Sequence, residues 1–296
     1  MSAALKSVVV IGNLDGVHRG HQAVLRQARA LADRSGRDLA RSRVLVLTFD
    51  PHPAEVLHGK VKPRLCTVAR RVELLRVNGA DDVVVEPFTK ELAALTPEEF
   101  AKELLSARLH CTAVVVGQNF RFGAQRAGDM NTLRELGATL GFEVVASEIA
   151  SDEKGPFSST RVRDAIAAAD LGEAAHVLGR PHSISGVVEH GDKRGRTIGF
   201  PTANLGQVTE LLPPHGVYAV RADDRPGVMN LGVRPTVDGT QLRIEVHLFD
   251  FAGDLYDQPM RVHLVERVRE ERKFAGLDEL KAQIAKDAAL ARAILE

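Results

Sequence analysis

Residues 8–21 read Val8-Val9-Val10-Ile11-Gly12-Asn13-Leu14-Asp15-Gly16-Val17-His18-Arg19-Gly20-His21, and this stretch decides the fold of the 296-residue chain. Four β-branched residues are typical of a buried strand, the glycines favour a turn, and two histidines stand where a helix should begin. A strand that feeds a helix amino terminus presents free N–H groups and partial positive charge to an anion. Residues three apart share a helical face, so His18 and His21 can reach the same anion. We therefore predict a site that holds and transfers a nucleotide phosphate.

Two other interpretations of these histidines stay open at this point. A histidine near a helix start is often a cap or a packed side chain. A zinc site is less favoured, because no third ligand is nearby and Cys66 and Cys111 lack metal-type spacing. The glycines match neither common phosphate-loop template, since no Lys-Ser/Thr follows them and GxGxxG is absent. A nucleotide site of a third kind is the remaining prediction.

The composition bounds the class of protein. The chain is long enough for two domains, is 44% hydrophobic, and has zero net charge and a pI of about 7.2. We therefore expect no nucleic-acid partner and no membrane partner, while the oligomeric state is left open. Two cysteines fit a reducing compartment, residues 1–6 lack the apolar core of a signal peptide, and no apolar run approaches a membrane span. The predicted location is the cytoplasm.

The first part of the chain alternates strand-like and helix-like segments. This order predicts a Rossmann-type α/β domain with a parallel sheet covered on both faces and ligands beyond the carboxyl ends of the strands. The predicted strands are Val8–Ile11, Val44–Phe49, Val83–Glu86, Ala113–Val116 and Phe142–Ala146, and the predicted helices are Gly20–Arg34, Val68–Asn78, Pro97–Arg108 and Asp129–Leu140.

The pattern changes near residue 182, which we take as the domain boundary, giving domains 1–182 and 183–296. Short alternating segments separated by Gly- and Pro-bearing turns predict a small antiparallel β-barrel, followed by a carboxy-terminal helix at Leu277–Leu295. The predicted strands are Ser185–Glu189, Val217–Ala222, Val228–Leu231, Leu242–Phe249 and Met260–Glu266.

A second chemical cluster opens this domain at residues 186–204. Glycines and cations between two strands predict a flap that closes over phosphates, although a solvated hairpin loop would account for each cation singly. In the following Pro201-Thr202-Ala203-Asn204, a hydroxyl and an amide two residues apart project to the same side of an extended chain. Such oxygen ligands suit Mg²⁺ with its phosphates.

A third candidate is the segment Arg243–Asp250. Glu245 and His247 share one face of a predicted strand, and Ile244, Val246 and Leu248 share the other. Ordinary sheet alternation with polar residues in solvent explains this pattern. Inside a small barrel, however, an inward Glu245 would be a candidate general base.

Taken together, these segments closely resemble the bifunctional bacterial riboflavin kinase/FAD synthetase family over nearly the whole chain. The first stretch matches a GNFDGVHxGH-like motif, with Leu14 where the family usually has Phe. Further adenylyltransferase motifs match 48–53, 116–123 and 158–163, and kinase motifs match 201–204, 216–218, 231–236 and 269–274. Position 119, Asn here, is Asp in many relatives. The resemblance implies a nucleotidyltransferase-like first domain and a six-stranded riboflavin kinase-like barrel.

The resemblance implies two reactions: ATP-dependent phosphorylation of riboflavin to FMN, then adenylyl transfer from ATP to FMN. For the kinase it implies Glu245 as the base, Thr202 and Asn204 as holders of Mg²⁺, and Arg269 and Glu271 as flavin contacts. His18 and His21 are the implied catalytic residues of adenylyl transfer. The implied nucleotide- and phosphate-binding residues are Gly12, Asn13, Asp15, Gly16, Asn119, Ser159, Thr160, Arg161 and Arg163 in the first module, and Gly191, Lys193, Arg194, Gly195, Arg196 and Gly199 in the flap.

Two alternatives accompany this interpretation. One is a kinase whose adenylyltransferase module is inactive, against which the intact His18/His21 pair and the 158–163 segment argue. The other is a non-catalytic flavin- or nucleotide-binding protein, which would retain flavin without consuming ATP.

Overall fold

A computed structural model describes residues 6–34, 42–59, 61, 63–190, 200–236 and 239–296, without side-chain detail for 234–236 and 239–241. The chain packs into two compact units. Unit 1 comprises Met1–Lys62 and Val68–Ser158, and unit 2 comprises Pro63–Thr67 and Ser159–Glu296. The predicted boundary at residue 182 falls inside unit 2, because the helix Leu171–Leu178 packs on the barrel and the helix Ser159–Ala167 packs on that helix. The functional domain limits remain a prediction.

Unit 1 is built on the predicted parallel sheet. The five strands lie in the order β3-β2-β1-β4-β5 and all neighbouring pairs are parallel. They are β1 Ser7–Ile11, β2 Arg43–Asp50, β3 Asp82–Pro87, β4 Cys111–Gly117 and β5 Glu143–Ser147.

Helices cover both faces of this sheet, which explains why its central strands are apolar at successive positions rather than at alternate ones. Val9 and Ile11 of β1 belong to one core, and Val8 and Val10 belong to the core on the opposite face. The helices are α1 Arg19–Arg34, α2 Pro53–His58, α3 Val68–Val77, α4 Lys90–Ala94, α5 Pro97–Glu99 and α6 Met130–Leu140, with a π-helical segment Phe100–Arg108, a 3₁₀ turn Ala124–Arg126 and a two-residue hairpin of β6 Ser151–Asp152 and β7 Gly155–Pro156.

One predicted helix has two parts. The sequence favours a continuous helix over Pro97–Arg108, whereas the structure has the short α5 followed by a π-helical segment. Thr96 and Glu99 form a capping box that fixes the start. Apolar spacing marks such a segment as helical, but it does not distinguish an α-helix from a π-helix.

Unit 2 contains the predicted barrel, closed by six antiparallel strands in the order β10-β11-β12-β9-β8-β13. The five predicted strands are present, and the short sixth strand contains the Asn204 segment. The long hairpin of β11 and β12 extends the register to Thr236 opposite Gly239, beyond the predicted limits. The elements are α7 Ser159–Ala167, α8 Leu171–Leu178, β8 His182–Glu189, β9 Ala203–Gly206, β10 Gly216–Ala222, β11 Arg225–Thr236, β12 Gly239–Leu248, β13 Pro259–Glu270 and α9 Leu277–Leu295.

Alternation along β12 sorts side chains between the two sides of the barrel wall. Ile244, Val246 and Leu248 are buried in the barrel core. Elsewhere on the wall, the outer side of β10, β11 and β13 packs against the predicted carboxy-terminal helix, whose Ala291 and Leu295 join a cluster with Val217 and Ala219 of β10. A closed barrel leaves the outer wall as the place for polar side chains.

Candidate active sites

The turn after β1 has a strained backbone. Leu14 and Val17 have positive φ angles of 51° and 42°, and Gly16 has 78°. Such angles are unfavourable for side chains with a Cβ, above all the β-branched Val17, and they concentrate at ligand sites. Leu14 and Val17 are both buried, so packing holds the turn in place. Gly12, Asn13, Asp15 and Gly16, all predicted to bind phosphate, lie in this turn.

Gly20 allows the first turn of α1 to pack closely against the Phe157 carbonyl oxygen and the His18 ring. A Cβ at this position would lie 2.9 Å from the Phe157 carbonyl oxygen and 3.0 Å from the His18 ring. These contacts are shorter than a side chain tolerates. A glycine between the two histidines is therefore a packing requirement of the helix start.

The rings of His18 and His21 are stacked, with 3.6 Å between their centroids. His18 is buried, and the Nδ1 atom of His21 is buried without a hydrogen bond among the described residues. Burial, with the nearby His18 as a second cause, holds the pKa of His21 well below its ordinary value. His21 is therefore neutral at pH 7.

The carboxyl ends of β1 and β2 form a polar rim beside the turn. Thr48 Oγ1 and Arg71 Nη1 both donate to the Asn13 carbonyl oxygen, at 3.0 and 2.9 Å. The Asn13 side-chain amide contacts His52 Nε2 at 3.1 Å, and His52 Nδ1 accepts the Ala54 N–H at the start of α2. His52, which lies in the 48–53 motif, and Arg71, which lies in no motif, thus join the site.

Asn119 lies at a pocket of about 300 Å³ beyond the carboxyl end of β4. Gln118, Arg121 and Arg126 line the same pocket. Arg121 is paired with Asp129 at 3.3 Å, and Asp129 caps α6 by accepting from Asn131 and Thr132 N–H groups. Residues 118–121 of the 116–123 motif line this polar pocket, and the nucleotide-binding role of Asn119 remains a prediction.

The remaining predicted phosphate residues lie at the first turn of α7, in unit 2. Ser159 and Thr160 begin the helix. Arg161 donates from Nε to Glu173 of α8 at 2.6 Å, and Arg163 donates from Nε to the Pro63 carbonyl oxygen at 3.0 Å. The Arg161 bond ties α7 to α8, so this guanidinium has a structural role within the unit.

In unit 2, a polar row crosses three strands on the outer barrel wall. Glu245 of β12 lies opposite Asn204 of β9 on one side and Asn230 of β11 on the other. Directly opposed residues share a face, so these three side chains are neighbours. The wall therefore brings the predicted base beside a predicted Mg²⁺ ligand, and it adds Asn230.

The idea of an inward Glu245 is wrong. The apolar residues at 244, 246 and 248 lie in the barrel interior, so Glu245 points outward. Its side chain is 30% exposed, and Arg243 Nη1 lies 3.5 Å from its carboxylate oxygen Oε1. A small barrel has no space inside for a charged group and its substrates, because side chains fill the interior. Any site that uses the Glu245 carboxylate therefore lies on the outer wall.

His247, on the same face as Glu245, anchors the segment that carries Thr202. Its Nδ1 lies 2.8 Å from the Pro201 carbonyl oxygen, which makes Nδ1 the donor. Its ring packs edge-to-face against Phe200 and Phe249. His247 thereby fixes the chain immediately before Thr202.

The two predicted flavin residues lie at the end of β13 and just beyond it. Arg269 donates from Nε and Nη2 to the buried Asp287 of α9, at 2.9 and 2.8 Å, and from Nη1 to the Glu270 carbonyl oxygen. Glu271 lies 3.7 Å from His215. Arg269 therefore joins the carboxy-terminal helix to the strand, and contact with flavin remains a prediction.

Six predicted flap residues lie outside the described part of the chain: Gly191, Lys193, Arg194, Gly195, Arg196 and Gly199. Within the described part, no group of three or more His, Cys, Asp and Glu side chains is placed to hold a metal ion. No described helix has the length and apolar character needed to cross a membrane.

Comparison with known families decides how these sites are to be interpreted. The family model for FAD synthetase matches residues 1–161, and the model for riboflavin kinase matches residues 178–295. The chain belongs to the bifunctional riboflavin kinase/FMN adenylyltransferase family. The two family matches confirm the resemblance inferred from the motifs, and the sheet and barrel confirm the predicted fold.

Members of this family from several bacteria match along nearly their full length. The bifunctional riboflavin kinase/FMN adenylyltransferase of Escherichia coli K12 is 42% identical over 96% of this chain and 91% of its own. The Bacillus subtilis protein of the same name is 38% identical over 95% and 90%. A crystal structure from Streptococcus pneumoniae, described as a macrolide-efflux protein, matches with a TM-score of 0.87 and 32% identity over 99% of this chain and 95% of that one.

Proposed function

We propose that adenylyl transfer takes place at the turn after β1 and riboflavin phosphorylation at the outer barrel wall. The chain is a bifunctional transferase of flavin-cofactor synthesis, which converts riboflavin to FMN with ATP and then FMN to FAD and pyrophosphate with a second ATP. The single observation that carries the placement of adenylyl transfer is the stacked His18–His21 pair at a strained strand-to-helix turn.

The adenylyl transfer needs alignment and charge stabilisation more than it needs a base. The FMN phosphate is already an anion at pH 7, so one of its oxygens can attack the α-phosphorus of ATP without losing a proton. The bond from the α-phosphorus to the bridging oxygen breaks, and pyrophosphate leaves. His18, His21 and the N–H groups of the turn stabilise the charge that develops on the phosphates. Asn119 contributes to nucleotide binding from the pocket beyond β4.

The kinase reaction differs because its nucleophile is a neutral hydroxyl. Glu245 accepts the proton of the ribityl 5′-hydroxyl while that oxygen attacks the γ-phosphorus of ATP and ADP leaves. A positioned base of this kind contributes about 10²–10⁴-fold to the rate. The partly exposed Glu245 carboxylate on the outer wall, beside Asn204 and Asn230, supports this role.

The donor set beside Glu245 fits Mg²⁺. Thr202 offers a hydroxyl and Asn204 an amide oxygen, and Glu245 lies in the neighbouring position. Mg²⁺ prefers oxygen ligands and usually retains water and substrate phosphates. When bound there, it would neutralise charge on the ATP phosphates. His247 supports the site by holding the Pro201 carbonyl.

Further aspects of the proposal concern the surroundings of the enzyme. ATP, riboflavin and FMN are its small-molecule substrates, in line with the family. We assign the enzyme to the cytoplasm. We propose no nucleic-acid or membrane partner, because zero net charge gives no general attraction to polyanions or anionic lipid. The Ser159–Arg163 helix start is assigned a phosphate-binding role, with Arg161 also joining α7 to α8.

The test is chromatography of products from the purified full chain with ATP and Mg²⁺, starting either from riboflavin or from FMN. FMN followed by FAD is expected, and a matched reaction with EDTA should stop phosphorylation. FMN without FAD from either start would leave only the kinase. Bound flavin without any product would favour the binding-protein alternative.

A further inference from the structure

Arg71 projects from α3 into the carboxyl end of the sheet in unit 1. Only 7% of its surface is exposed. Its Nη1 donates to the Asn13 carbonyl oxygen at 2.9 Å, and its Nη2 donates to the Phe49 carbonyl oxygen at 3.1 Å. Phe49 lies near the end of β2, and Asn13 lies in the turn that follows β1. One guanidinium therefore joins the two chain segments that frame the proposed phosphate site.

The orientation of the Asn13–Leu14 peptide follows from these bonds. In a trans peptide the carbonyl and the following N–H point in opposite directions. The Asn13–Leu14 bond is trans, and its carbonyl is held from one side by both Arg71 and Thr48. The Leu14 N–H is therefore directed away from these two side chains.

The same contacts explain how the turn keeps its strained backbone. Residues with positive φ such as Leu14 and Val17 have a strained backbone, and they persist only where the surroundings hold them. A guanidinium suits this role because its rigid fork can bind two carbonyls at once. Its permanent positive charge beneath the turn also favours an anion in the neighbourhood.

We propose that Arg71 is a positioning residue for adenylyl transfer: it holds the Asn13 carbonyl so that the Leu14 N–H is aimed at a phosphate oxygen of ATP. This inference rests on the proposed placement of the ATP phosphates at the turn. Arg71 itself need not touch the substrate. Its loss therefore slows the chemical step more than it weakens ATP binding.

The test uses the full chain with Arg71→Met, which keeps the length of the side chain and removes its donors, and Arg71→Lys, which keeps the charge. Arg76→Met is the matched control, because it removes a charge from the exposed side of α3. FAD formation is followed in a single turnover, with enzyme in excess over FMN at saturating ATP. As long as folded enzyme saturates FMN, an unfolded fraction leaves this rate constant unchanged, so the rate constant reports on folded molecules alone. Riboflavin phosphorylation in unit 2 is measured alongside.

We expect Arg71→Met to lower the single-turnover rate constant by about 10–100-fold at full amplitude, with KM for ATP within about threefold of the parent value. Arg71→Lys should lie between the parent and Arg71→Met, since an ammonium is a single charged point without the planar fork. Arg76→Met should match the parent enzyme, and all three variants should keep their kinase activity.

A rate constant for Arg71→Met within about twofold of the parent, or a loss confined to the amplitude, would overturn the proposal. If Arg71→Met does not fold, Arg71→Lys decides: a fall of about threefold or more at full amplitude supports the proposal, and a smaller one overturns it. If the ATP phosphates do not bind at the turn after β1, replacing both His18 and His21 would leave FAD formation normal.

Discussion

The imidazole rings of His18 and His21 stack with 3.6 Å between their centroids and 25° between their planes. This contact follows from a three-residue spacing across the start of α1, with Gly20 between them so that the helix can approach the Phe157 carbonyl. Burial, and secondarily the neighbouring His18, lower the pKa of His21, so protonation of His21 is disfavoured in the free enzyme. A bound phosphate would favour the protonated form of a buried imidazole, because its negative charge would offset the positive charge of the ring.

The histidine pair is expected to serve one reaction only. Replacing both His18 and His21 by Ala should lower FAD formation from FMN by about 100-fold or more, because donors aimed at developing charge are lost. Phosphorylation of riboflavin should stay within about twofold of the parent value, since that site lies in unit 2. Both rates are measured on the same preparation.

The matched control replaces His58 and His110 by Ala, two exposed histidines of the same unit. This variant should keep both activities. A fall in riboflavin phosphorylation in the His18/His21 variant, with the fold intact by circular dichroism, would contradict the site assignment.

Glu245 is expected to serve the other reaction. Glu245→Gln removes the base while keeping the size of the side chain, so FMN formation should fall by about 10²–10⁴-fold. Conversion of FMN to FAD should continue. Glu266→Gln, an exposed carboxylate on β13 of the same barrel, is the control and should retain both activities. Equal loss of both reactions in Glu245→Gln would refute independent modules.

The burial of His182 predicts how the stability of unit 2 depends on pH. The ring is buried at the start of β8, and its Nε2 donates to the Leu211 carbonyl oxygen at 2.8 Å. Burial, above all, lowers the pKa of His182 to about 4. The unfolded chain binds the proton first, so the stability contributed by this group is complete above about pH 6.5 and is lost as the pH falls towards 4.

Between pH 7 and pH 5, His182 takes up a proton in the unfolded chain but hardly in the folded one. The free energy of unfolding of unit 2 should therefore fall by about 2 kcal/mol. The measurement is urea denaturation of the parent and of His182→Gln at both pH values, with kinase activity as the probe of unit 2. His182→Gln should lose less stability than the parent over this interval, by about the same 2 kcal/mol. Identical pH dependence of the two proteins would show that another group controls acid sensitivity.

Asp287 is expected to hold α9 against the barrel. It is buried, and it accepts from Arg269 Nε and from Gln283 Nε2, the latter at 2.6 Å. Asp287→Asn should lower the free energy of unfolding of unit 2 by about 2 kcal/mol, because Arg269 loses its charged partner. If Arg269 contacts flavin, KM for riboflavin should also rise severalfold. The control is Asp278→Asn, at the exposed start of α9, which should change the free energy of unfolding by less than about 0.5 kcal/mol. A similar loss of stability in both variants would show that the buried Arg269–Asp287 ion pair does not hold α9.

The sequence was informative wherever a pattern is local. The apolar run at 8–11, the turn and the two histidines predicted β1 and the start of α1, because strand burial, turn geometry and helix spacing act over a few residues. Leu277–Leu295 was predicted with the limits that the structure shows. Family motifs then linked these segments to two reactions.

Pairing across strands was not available from local patterns. Asn230 and Arg71 lie in no motif, and they join their sites only through the register of β11 with β12 and the contact of α3 with the turn after β1. The side of the barrel wall that Glu245 occupies was likewise undetermined, because alternation separates two faces without saying which one is inside.

The sequence by itself determined the order of elements, the two modules and the chemical identity of their groups, because each depends on side chains close together along the chain. Only the tertiary structure decided that Glu245 faces outward beside Asn204, and that Arg71 reaches the Asn13 carbonyl from 58 residues away. The physical reason is that a site is assembled by packing and strand register. These long-range terms select, among locally equivalent polar residues, the few that meet.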